Sequence, residues 1–380
     1  MRVLIDYRAA LSERSGVGEY THQLARALLT TFSPASDKRL DLTLFSSSWK
    51  DRLVPGAEIR TASAVDRRVP VRLLNFAWHR LEWPSAEALA GGRFDVTHSL
   101  HPLLMPARSA AQVVTIHDLD FLLHPERTRG EIKRDYPARA RDHANRADRV
   151  IVVSEFTARE VERLLQVPRH RISVCSPGAP PWNPRQIQPA RGYVLFFGTL
   201  EPRKNVGALL DAYERFAMGR RSVPPLVLAG KAVEGSSGWL ERIDRPPLKG
   251  IARYIGYVNP ATRRELYEGA RILVQPSFDE GFGLTVLEAM TLGVPVVAAN
   301  RGALPEVLGD AGVLVDPSDP DVLAAAMASL IDDQGLAETA AMNGVRQAQR
   351  YTWEQTARSV YAAYEAAVAQ KAATAGAGER

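Results

Sequence analysis

The sequence predicts an α/β protein that consists of two parallel-sheet domains. Short runs rich in valine, isoleucine and leucine recur along the chain, and several are apolar almost throughout, as in parallel strands buried on both faces. Patterns typical of helices, such as residues 21–32 and 206–217, lie between these runs. This alternation indicates repeated βαβ units. A proline-rich segment near the middle of the chain separates two sets of such units.

Twelve strands are predicted, six in each half of the chain. In the first half they span residues 2–6, 41–46, 95–100, 113–118, 149–155 and 171–177. In the second half they span residues 193–198, 225–230, 252–258, 271–277, 294–300 and 312–317.

The segment between the halves, residues 177–192, contains five prolines and is predicted to be a linker, because proline fixes φ and lacks an N–H donor. We therefore expect an N-terminal domain at 1–185 and a C-terminal domain at 186–352. Residues 353–380 begin with an amphipathic helix, which we expect to pack back on the N-terminal domain, and the composition after residue 370 favours fraying. Because ligands bind outside the carboxyl ends of parallel strands, we expect a site in a cleft between the domains.

Composition excludes several classes of protein. The chain has 380 residues, 46% hydrophobic and 24% charged, which is typical of a soluble protein of more than one domain. No run approaches the roughly 20 apolar residues that span a bilayer. The start, "MRVLIDYRAA", places Asp6 within its only apolar stretch and so predicts a strand rather than a signal peptide. The single cysteine, Cys175, is predicted to be a buried strand residue in a reducing, cytoplasmic protein.

The charge is spread unevenly along the chain. Residues 1–190 contain 28 Lys and Arg against 21 Asp and Glu, a balance of +7, whereas residues 191–380 contain 20 and 22, a balance of −2. A basic first half predicts an anionic partner there, such as a membrane surface, a lipid phosphate or nucleic acid.

A glycine pair follows the first predicted strand. Gly16 and Gly18 precede a helix, where glycines let backbone amides approach a phosphate closely. A nicotinamide dinucleotide fingerprint would need a third glycine where Thr21 stands, and an acid at the end of the second strand, which Asp41 instead begins. The pair therefore indicates either a phosphate-binding loop or a plain turn, and disfavours an oxidoreductase.

A histidine ends the strand predicted at 113–118. His117 either contacts a polar ligand at the strand's carboxyl end or is a satisfied histidine at the strand end. Asp118 and Asp120 also form a D-x-D pattern, which holds a metal ion in some enzymes. The apolar residues that follow, 121–123, indicate a loop or a helix, which disfavours a metal site.

Two cations follow the strand that ends at Gly198. Arg203 and Lys204 stand at the predicted start of a helix, with Asn205 as its candidate N-cap. Cations at a helix N-terminus are unfavourable unless an anion joins them. The pair is therefore either a solvated surface or a diphosphate clamp, in which arginine offers a fork and lysine a point charge.

The stretch "FDEGFGLTVLEAM" contains two glutamates, Glu280 and Glu288, eight positions apart. Glu280 lies in a predicted loop, and Glu288 lies in a helix that is apolar nearly all round, where a buried carboxylate needs partners. The amides of Gly283, Leu284 and Thr285 fall in the first helical turn, open to a phosphate. Either both acids are ordinary surface carboxylates, or they bind one elongated ligand.

Together and in this order, these motifs resemble the retaining glycosyltransferases of family 4. The resemblance rests on E-x7-E (Glu280 and Glu288), the "FGLTVLEAM" body, "GxLxPRKN", "HD" and the N-terminal "GVGxY", and it covers nearly the whole chain. Many relatives have "GRL" where this chain has "GTL", so Arg203 is the expected replacement for their basic residue. The resemblance implies the GT-B fold, with two Rossmann-like α/β/α domains facing each other across a deep cleft.

The resemblance also implies roles for single residues. Glu288 would bind the donor ribose, Glu280 the hydroxyls of the donor sugar, and His117 the sugar near C6 and the departing phosphate. Arg203 and Lys204 would neutralise the diphosphate without a metal or a cofactor, and front-face attack would retain the anomeric configuration. The other donor-binding positions are Gly16, Gly18, Gly198, Phe282, Gly283, Leu284 and Thr285.

Donor and acceptor are expected from finer likenesses. "GTLEPRKN" and "DYR…SGVGEY" look like bacterial mannosyltransferases of polysaccharide and O-antigen assembly, which implies GDP-mannose as donor and a glycan or lipid-linked acceptor. A UDP-sugar donor and a catalytically silent sugar-nucleotide-binding protein remain alternatives. Residues 67–83 mix arginines with large apolar side chains, which indicates either contact with an anionic membrane at its inner face or an amphipathic packing helix. Nucleic acid is not expected, because no recognised module accompanies this stretch.

Overall fold

The computed structural model describes residues 1–11, 14, 16–33, 36–125, 130–189 and 191–378. The chain divides into two compact units, one of Met1–Gly178 with Thr352–Arg380 and the other of Ala179–Tyr351. The first division comes after Gly178 rather than after residue 185. Residues beyond Gly178 already contact the second unit, because the guanidinium of Arg185 donates to the carbonyls of Glu268 and Ala270.

The first unit contains a seven-stranded parallel sheet in the order β3-β2-β1-β4-β5-β6-β7. Its strands are β1 (Arg2–Asp6), β2 (Asp41–Ser47), β3 (Ser63–Arg67), β4 (Val96–Ser99), β5 (Ala111–Ile116), β6 (Arg149–Val152) and β7 (Ile172–Val174). Six of these strands were predicted. The sequence missed β3 because this strand lies at the edge of the sheet and none of its residues is fully buried, so it has no apolar run.

Helices of the first unit connect these strands. They are α1 (Val17–Thr31), α2 (Val71–Phe76), α3 (Ala86–Ala90), α4 (Asp120–Leu123), α5 (Gly130–Arg146) and α6 (Glu155–Glu160). A π-helical turn at Ala77–Leu81 continues α2, and another at Val161–Leu165 continues α6.

The second unit contains a six-stranded parallel sheet in the order β10-β9-β8-β11-β12-β13. Its strands are β8 (Tyr193–Phe197), β9 (Leu226–Ala229), β10 (Ala252–Tyr254), β11 (Ala270–Gln275), β12 (Val296–Ala299) and β13 (Val313–Val315). Its helices are α7 (Val206–Ala217), α8 (Ser237–Ile243), α9 (Pro260–Glu268), α10 (Leu284–Thr291), α11 (Leu304–Leu308), α12 (Pro320–Asp332) and α13 (Gln334–Ala348). All six predicted strands of this half are present.

The last helix, α14 (Trp353–Gly378), belongs to the first unit. Tyr361 stacks on Phe32, the residue after α1, with ring centroids 4.3 Å apart, and the Tyr364 hydroxyl lies 2.8 Å from Nδ1 of the buried His98. α14 continues to Gly378, eight residues beyond the predicted amphipathic helix, and the fraying of the tail stays a prediction. Residues 371–378 are rich in alanine, the strongest helix former, which favours this extension.

Both sheets have the doubly wound order, in which the direction of strand addition reverses beside the first strand. The reversal lies between β1 and β4 in the first unit and between β8 and β11 in the second. Ligands of such sheets bind outside the carboxyl ends of the strands at this point. The loops that follow β1, β8 and β11 contain most of the sequence motifs described above.

Candidate functional site

The candidate donor site of the second unit lies at the carboxyl ends of β8 and β11. A 3₁₀ turn after β8, Pro202–Lys204, carries Arg203 and Lys204. The loop after β11, residues 276–283, carries Glu280 and leads into α10. The amide of Phe278 donates to the carbonyl of Arg203 at 2.8 Å, so the two loops are in direct contact.

Glu280 lies at the centre of a buried polar cluster. Its side chain is 9% exposed, and its Oε1 accepts hydrogen bonds from Lys204 Nζ and, at 2.9 Å each, from Gln275 Nε2 and Ser277 Oγ. Nη1 of Arg203 lies 3.7 Å from Oε2. Burial alone would raise the pKa of Glu280, but the charges of Lys204 and Arg203 outweigh it and lower this pKa below the ordinary value. The cluster therefore presents an ionised carboxylate between two cations.

The cations have further partners in the same loops. Nε of Arg203 lies 2.7 Å from Oε1 of Glu201, and its Nη1 donates to the carbonyl of Asp279 at 3.2 Å. A Cβ atom on Gly198 would lie 3.8 Å from Cε of Lys204, so Gly198 borders the cluster. Both cations are thus held in place by the loop that also carries Glu280.

Asn205 occupies the N-cap position of α7, as predicted, but its side chain does not cap the helix. Its φ is 55° and its side chain accepts no capping hydrogen bond. Instead its Nδ2 donates to the carbonyl of Pro317 at 2.7 Å, which ties the turn to the loop after β13. The side chain is committed to this distant contact.

Glu288 lies on α10 and has partners that the sequence did not identify. Its Oε1 accepts from Nη1 of Arg263 at 2.9 Å, and its Oε2 accepts from the Tyr267 hydroxyl at 2.7 Å. All three residues are buried. The partners that a buried carboxylate needs are therefore supplied by α9, where Arg263 and Tyr267 are four residues apart and share one face.

Helix α10 begins as the sequence predicts. Gly283 precedes it with a φ of 105°, and the amides of Val286 and Leu287 donate to its carbonyl at 3.0 and 3.1 Å. The amides of Leu284 and Thr285 lie ahead of these first helical hydrogen bonds, where a helix presents N–H groups to an anion. The preceding Phe282 is 5% exposed, and its ring packs edge-on against another ring of the unit, Tyr351.

In the first unit, Gly16 and Gly18 lie at the start of α1. Gly16 has a φ of 52° and accepts the amide of Tyr20 at 3.0 Å. A Cβ atom on Gly18 would lie 2.5 Å from the carbonyl oxygen of Ala9, so only glycine lets α1 approach the turn after β1 this closely. Close backbone packing thus accounts for Gly18 whether or not a phosphate binds there.

His117 follows β5 and packs edge-on against Tyr20 of α1, with ring centroids 4.8 Å apart. Burial lowers the pKa of His117 to about 4, so its imidazole is neutral at pH 7. The imidazole forms a hydrogen bond with the backbone of Leu100, and its Nε2 is buried without a hydrogen-bond partner among the described residues. The nitrogen that bonds Leu100 is therefore Nδ1, and with the proton on Nδ1 the neutral ring leaves Nε2 as an acceptor.

The D-x-D pattern does not form a pair of parallel ligands. The amide of Asp120 donates to Oδ1 of Asp118 at 3.3 Å, and Asp120 begins α4. Across the ranges that the structure describes, no group of three or more His, Cys, Asp and Glu residues could hold a metal ion.

Residues 67–83 have one buried and one exposed face. Leu74 and Trp78 are 2% and 1% exposed and pack in a core cluster of the first unit, so they are not available to a membrane. The exposed apolar–basic surface consists of Arg67, Arg68, Val71, Arg72, Leu73, Phe76, Arg80, Leu81 and Trp83. Within the described chain, no helix combines the length and the apolar character needed to cross a bilayer.

Comparisons with known proteins identify the chain. The model of the family "Glycosyltransferase Family 4" matches residues 14–181, and that of "Glycosyl transferases group 1" matches residues 183–347. The O-antigen chain mannosyltransferase B of Escherichia coli is 32% identical over 374 residues, which cover 92% of this chain and 96% of that protein. The chain belongs to the family 4 glycosyltransferases of the GT-B fold. The predicted family and enzyme class are therefore confirmed.

Solved structures of other proteins have the same fold as this glycosyltransferase. Sucrose-phosphate synthase from Thermosynechococcus elongatus has a TM-score of 0.75 and 19% identity, and covers 96% of this chain and 98% of its own. WaaG, a glycosyltransferase involved in lipopolysaccharide biosynthesis, has a TM-score of 0.72 and 15% identity with the same coverage. At these identities the likeness concerns the fold of two Rossmann-like domains, which it confirms.

Proposed function

We propose that this glycosyltransferase transfers mannose from GDP-mannose, with retention, to a hydroxyl of a glycan or lipid-linked acceptor. The observation that carries the proposal is the buried cluster of Glu280, Lys204 and Arg203 at the carboxyl ends of β8 and β11. An ionised acceptor beside two cations suits a ligand with sugar hydroxyls next to a diphosphate. The similarity to the mannosyltransferase of Escherichia coli supports mannose as the sugar.

Each group has a role in this proposal. Arg203, Lys204 and the amides at the start of α10 bind the diphosphate, and the positive charge of these groups takes the place of a metal. Glu280 accepts from hydroxyls of the sugar, and Glu288 accepts from the ribose. The neutral His117 uses its Nε2 to accept from a further sugar hydroxyl.

The transfer step is a front-face substitution. The acceptor oxygen forms a bond to the anomeric carbon while the bond from that carbon to the phosphate oxygen breaks. The acceptor proton passes to the same phosphate oxygen, so the nucleoside diphosphate leaves on the face from which the acceptor enters. Glu280 is held by three donors on one oxygen, which suits a fixed acceptor more than a nucleophile.

The acceptor proposal rests on the first unit. Its apolar–basic surface combines exposed arginines with Leu73, Phe76 and Trp83, which are 55–65% exposed. Such a surface suits the headgroup region of an anionic membrane, where a lipid-linked acceptor would lie.

The proposal is tested in two stages. Melting temperatures are measured with GDP-mannose and a panel of UDP-sugars, because only a ligand of the native state raises them. Sugar transfer is then assayed with the stabilising donor, with and without EDTA, and the anomeric configuration of the product is determined by NMR. We expect GDP-mannose to stabilise the protein, transfer to survive EDTA, and the product to retain the configuration.

Variants distinguish an active transferase from a protein that binds a sugar nucleotide without catalysis. Glu280→Gln should lower turnover by about 100-fold or more, since it removes a charge next to the reacting sugar. Glu241→Gln is the matched control in the same unit, because that carboxylate is 64% exposed and pairs with the similarly exposed Arg245 at the surface. If only UDP-sugars raise the melting temperature, the proposal of GDP-mannose as donor is wrong. If the wild type binds a donor but transfers no sugar, the proposed transfer reaction is wrong.

A further inference from the structure

Helix α9 places a second layer of side chains behind the glutamate of α10. Arg263 and Tyr267 each donate one hydrogen bond to a different oxygen of Glu288, at 2.9 and 2.7 Å. Arg263 is 7% exposed, Tyr267 is fully buried and Glu288 is 8% exposed. The carboxylate is therefore fixed in orientation by two donors that approach it from one neighbouring helix.

The donors are themselves held by packing. The Tyr267 ring meets Phe197, at the end of β8, edge-on at 5.8 Å and lies 6.1 Å from the ring of Trp182. The guanidinium of Arg263 lies over the same Phe197 ring at 5.8 Å. Asn259 caps the start of α9 by accepting from the amide of Thr262. The positions of both donors thus depend on a strand of the sheet and on a capped helix.

A carboxylate with this support can still bind a diol. An ionised carboxylate accepts about four hydrogen bonds, so a carboxylate held by protein donors is still able to accept from hydroxyl groups of a ligand. A ribose presents two adjacent hydroxyls, whereas a 2′-deoxyribose presents one. An acceptor held in one orientation recognises such a pair better than a mobile one, because no side-chain freedom is lost on binding.

We propose that Arg263 and Tyr267 are positioning residues that orient Glu288 toward the ribose diol and thereby make the enzyme select ribonucleotide over 2′-deoxyribonucleotide donors. The inference rests on the proposed function of Glu288 as the ribose-binding residue. Neither positioning residue needs to touch the donor, since both act through the carboxylate.

The experiment compares the affinities of GDP and 2′-deoxy-GDP by calorimetry, or of UDP and 2′-deoxy-UDP if the donor panel selects uridine. The wild type should bind the ribonucleotide about tenfold more tightly, as expected for one hydrogen bond to a charged group. Tyr267→Phe keeps the ring and its packing but removes one donor, and should reduce this preference severalfold. Arg263→Met should reduce it further, and Arg263→Lys should restore part of it.

Arg264→Met provides the matched control on the same helix. Arg264 is exposed and pairs with Glu268 on the surface, so its loss should leave the preference unchanged. Loss of binding to both nucleotides by the same factor in Tyr267→Phe, with the preference intact, would mean that α9 has only a structural role and would overturn the inference.

Glu288→Gln separates failure of the inference from failure of the proposed function. If the wild type does not distinguish the two nucleotides, or if Glu288→Gln retains the distinction, the ribose role of Glu288 is wrong. If Glu288→Gln loses the distinction while Tyr267→Phe and Arg263→Met both keep it, only the role of the positioning residues is wrong.

Discussion

The buried pair of Lys204 and Glu280 predicts a large loss of stability when either partner is removed alone. Breaking a buried ion pair costs about 3–5 kcal/mol, because one charge remains buried without its partner. For Lys204→Met we expect the free energy of unfolding to fall by about 3 kcal/mol, at the lower end of this range. Arg203 still lies 3.7 Å from Oε2 of Glu280, and Gln275 and Ser277 still donate to Oε1.

The double variant Lys204→Met/Glu280→Gln should lose far less stability than the two single variants lose in sum. Glu280→Gln alone leaves a buried ammonium group without its nearest counter-ion, whereas the double variant buries neither charge. We therefore expect a coupling energy of about 2–3 kcal/mol between the two positions. Urea unfolding of the wild type and the three variants, followed by tryptophan fluorescence, measures this energy.

An exposed ion pair of the same unit provides the matched control. Arg220 and Asp332 form two hydrogen bonds of 2.7 and 2.8 Å, but their side chains are 30% and 53% exposed. The cycle through Arg220→Met and Asp332→Asn should give a coupling energy below about 1 kcal/mol. If the losses at Lys204 and Glu280 add to within about 0.5 kcal/mol, the reasoning from a desolvated pair is refuted.

Two further predictions concern the first unit. Burial lowers the pKa of His98 to about 3, from 6.5, so only the unfolded chain takes up this proton between these values, and stability should fall as pH decreases below 6.5. Urea unfolding of the wild type at several pH values should show that the free energy of unfolding falls by up to about 1.4 kcal/mol per pH unit because of this proton. In His98→Asn this part of the pH dependence should be absent, and an equally steep dependence in the variant would contradict the prediction. Replacing Phe76 and Trp83 together by serine should weaken sedimentation with phosphatidylglycerol vesicles about 30-fold, from roughly 2 kcal/mol of lost burial. The control Trp49→Ser should not change vesicle binding, since Trp49 is 71% exposed but lies outside the apolar–basic surface. Equal vesicle binding by the control and by the double variant at Phe76 and Trp83 would count against the membrane contact.

The fold could be predicted because its central strands are buried on both faces. Such strands are apolar almost throughout, and β5, with five of its six residues buried, is an example. The edge strand β3 lacks this signal, since its stability depends on pairing with β2. The amphipathic pattern of α14 ends at residue 370, whereas the helix continues to Gly378, because alanine favours a helix even where no apolar face repeats.

The site could be predicted only in part, because motifs report residues that touch a ligand more readily than those that support them. Glu280 and Glu288 were identified by their spacing, but Arg263 is 25 residues from Glu288 in sequence and lies on a helix with no unusual pattern. Gln275 and Ser277 carried a weak signal, as polar residues two apart at the end of an apolar strand. Contacts between elements depend on the packing of α9 against α10, which local sequence does not encode.

The charges around Glu280 have a consequence for how the proposed donor binds. Arg203 and Lys204 already face two carboxylates, Glu201 and Glu280, so the formal charge of this group is zero before any ligand is present. A diphosphate brings negative charge on each phosphate, which this group alone does not balance. Backbone amides at a helix N-terminus supply further positive potential, and the start of α10 presents such amides beside this group.

If the donor binds as proposed, the contact between Lys204 and Glu280 couples the binding of its diphosphate to the binding of its sugar. Lys204 then turns toward a phosphate, its hydrogen bond to Oε1 of Glu280 weakens, and that oxygen becomes able to accept from a sugar hydroxyl. A nucleoside diphosphate draws Lys204 away from Glu280 without offering Glu280 a sugar hydroxyl in exchange, whereas a complete sugar nucleotide offers both contacts. Because the departing diphosphate gains charge as the bond breaks, the same cations bind it more strongly in the transition state than in the donor, which is the condition for catalysis.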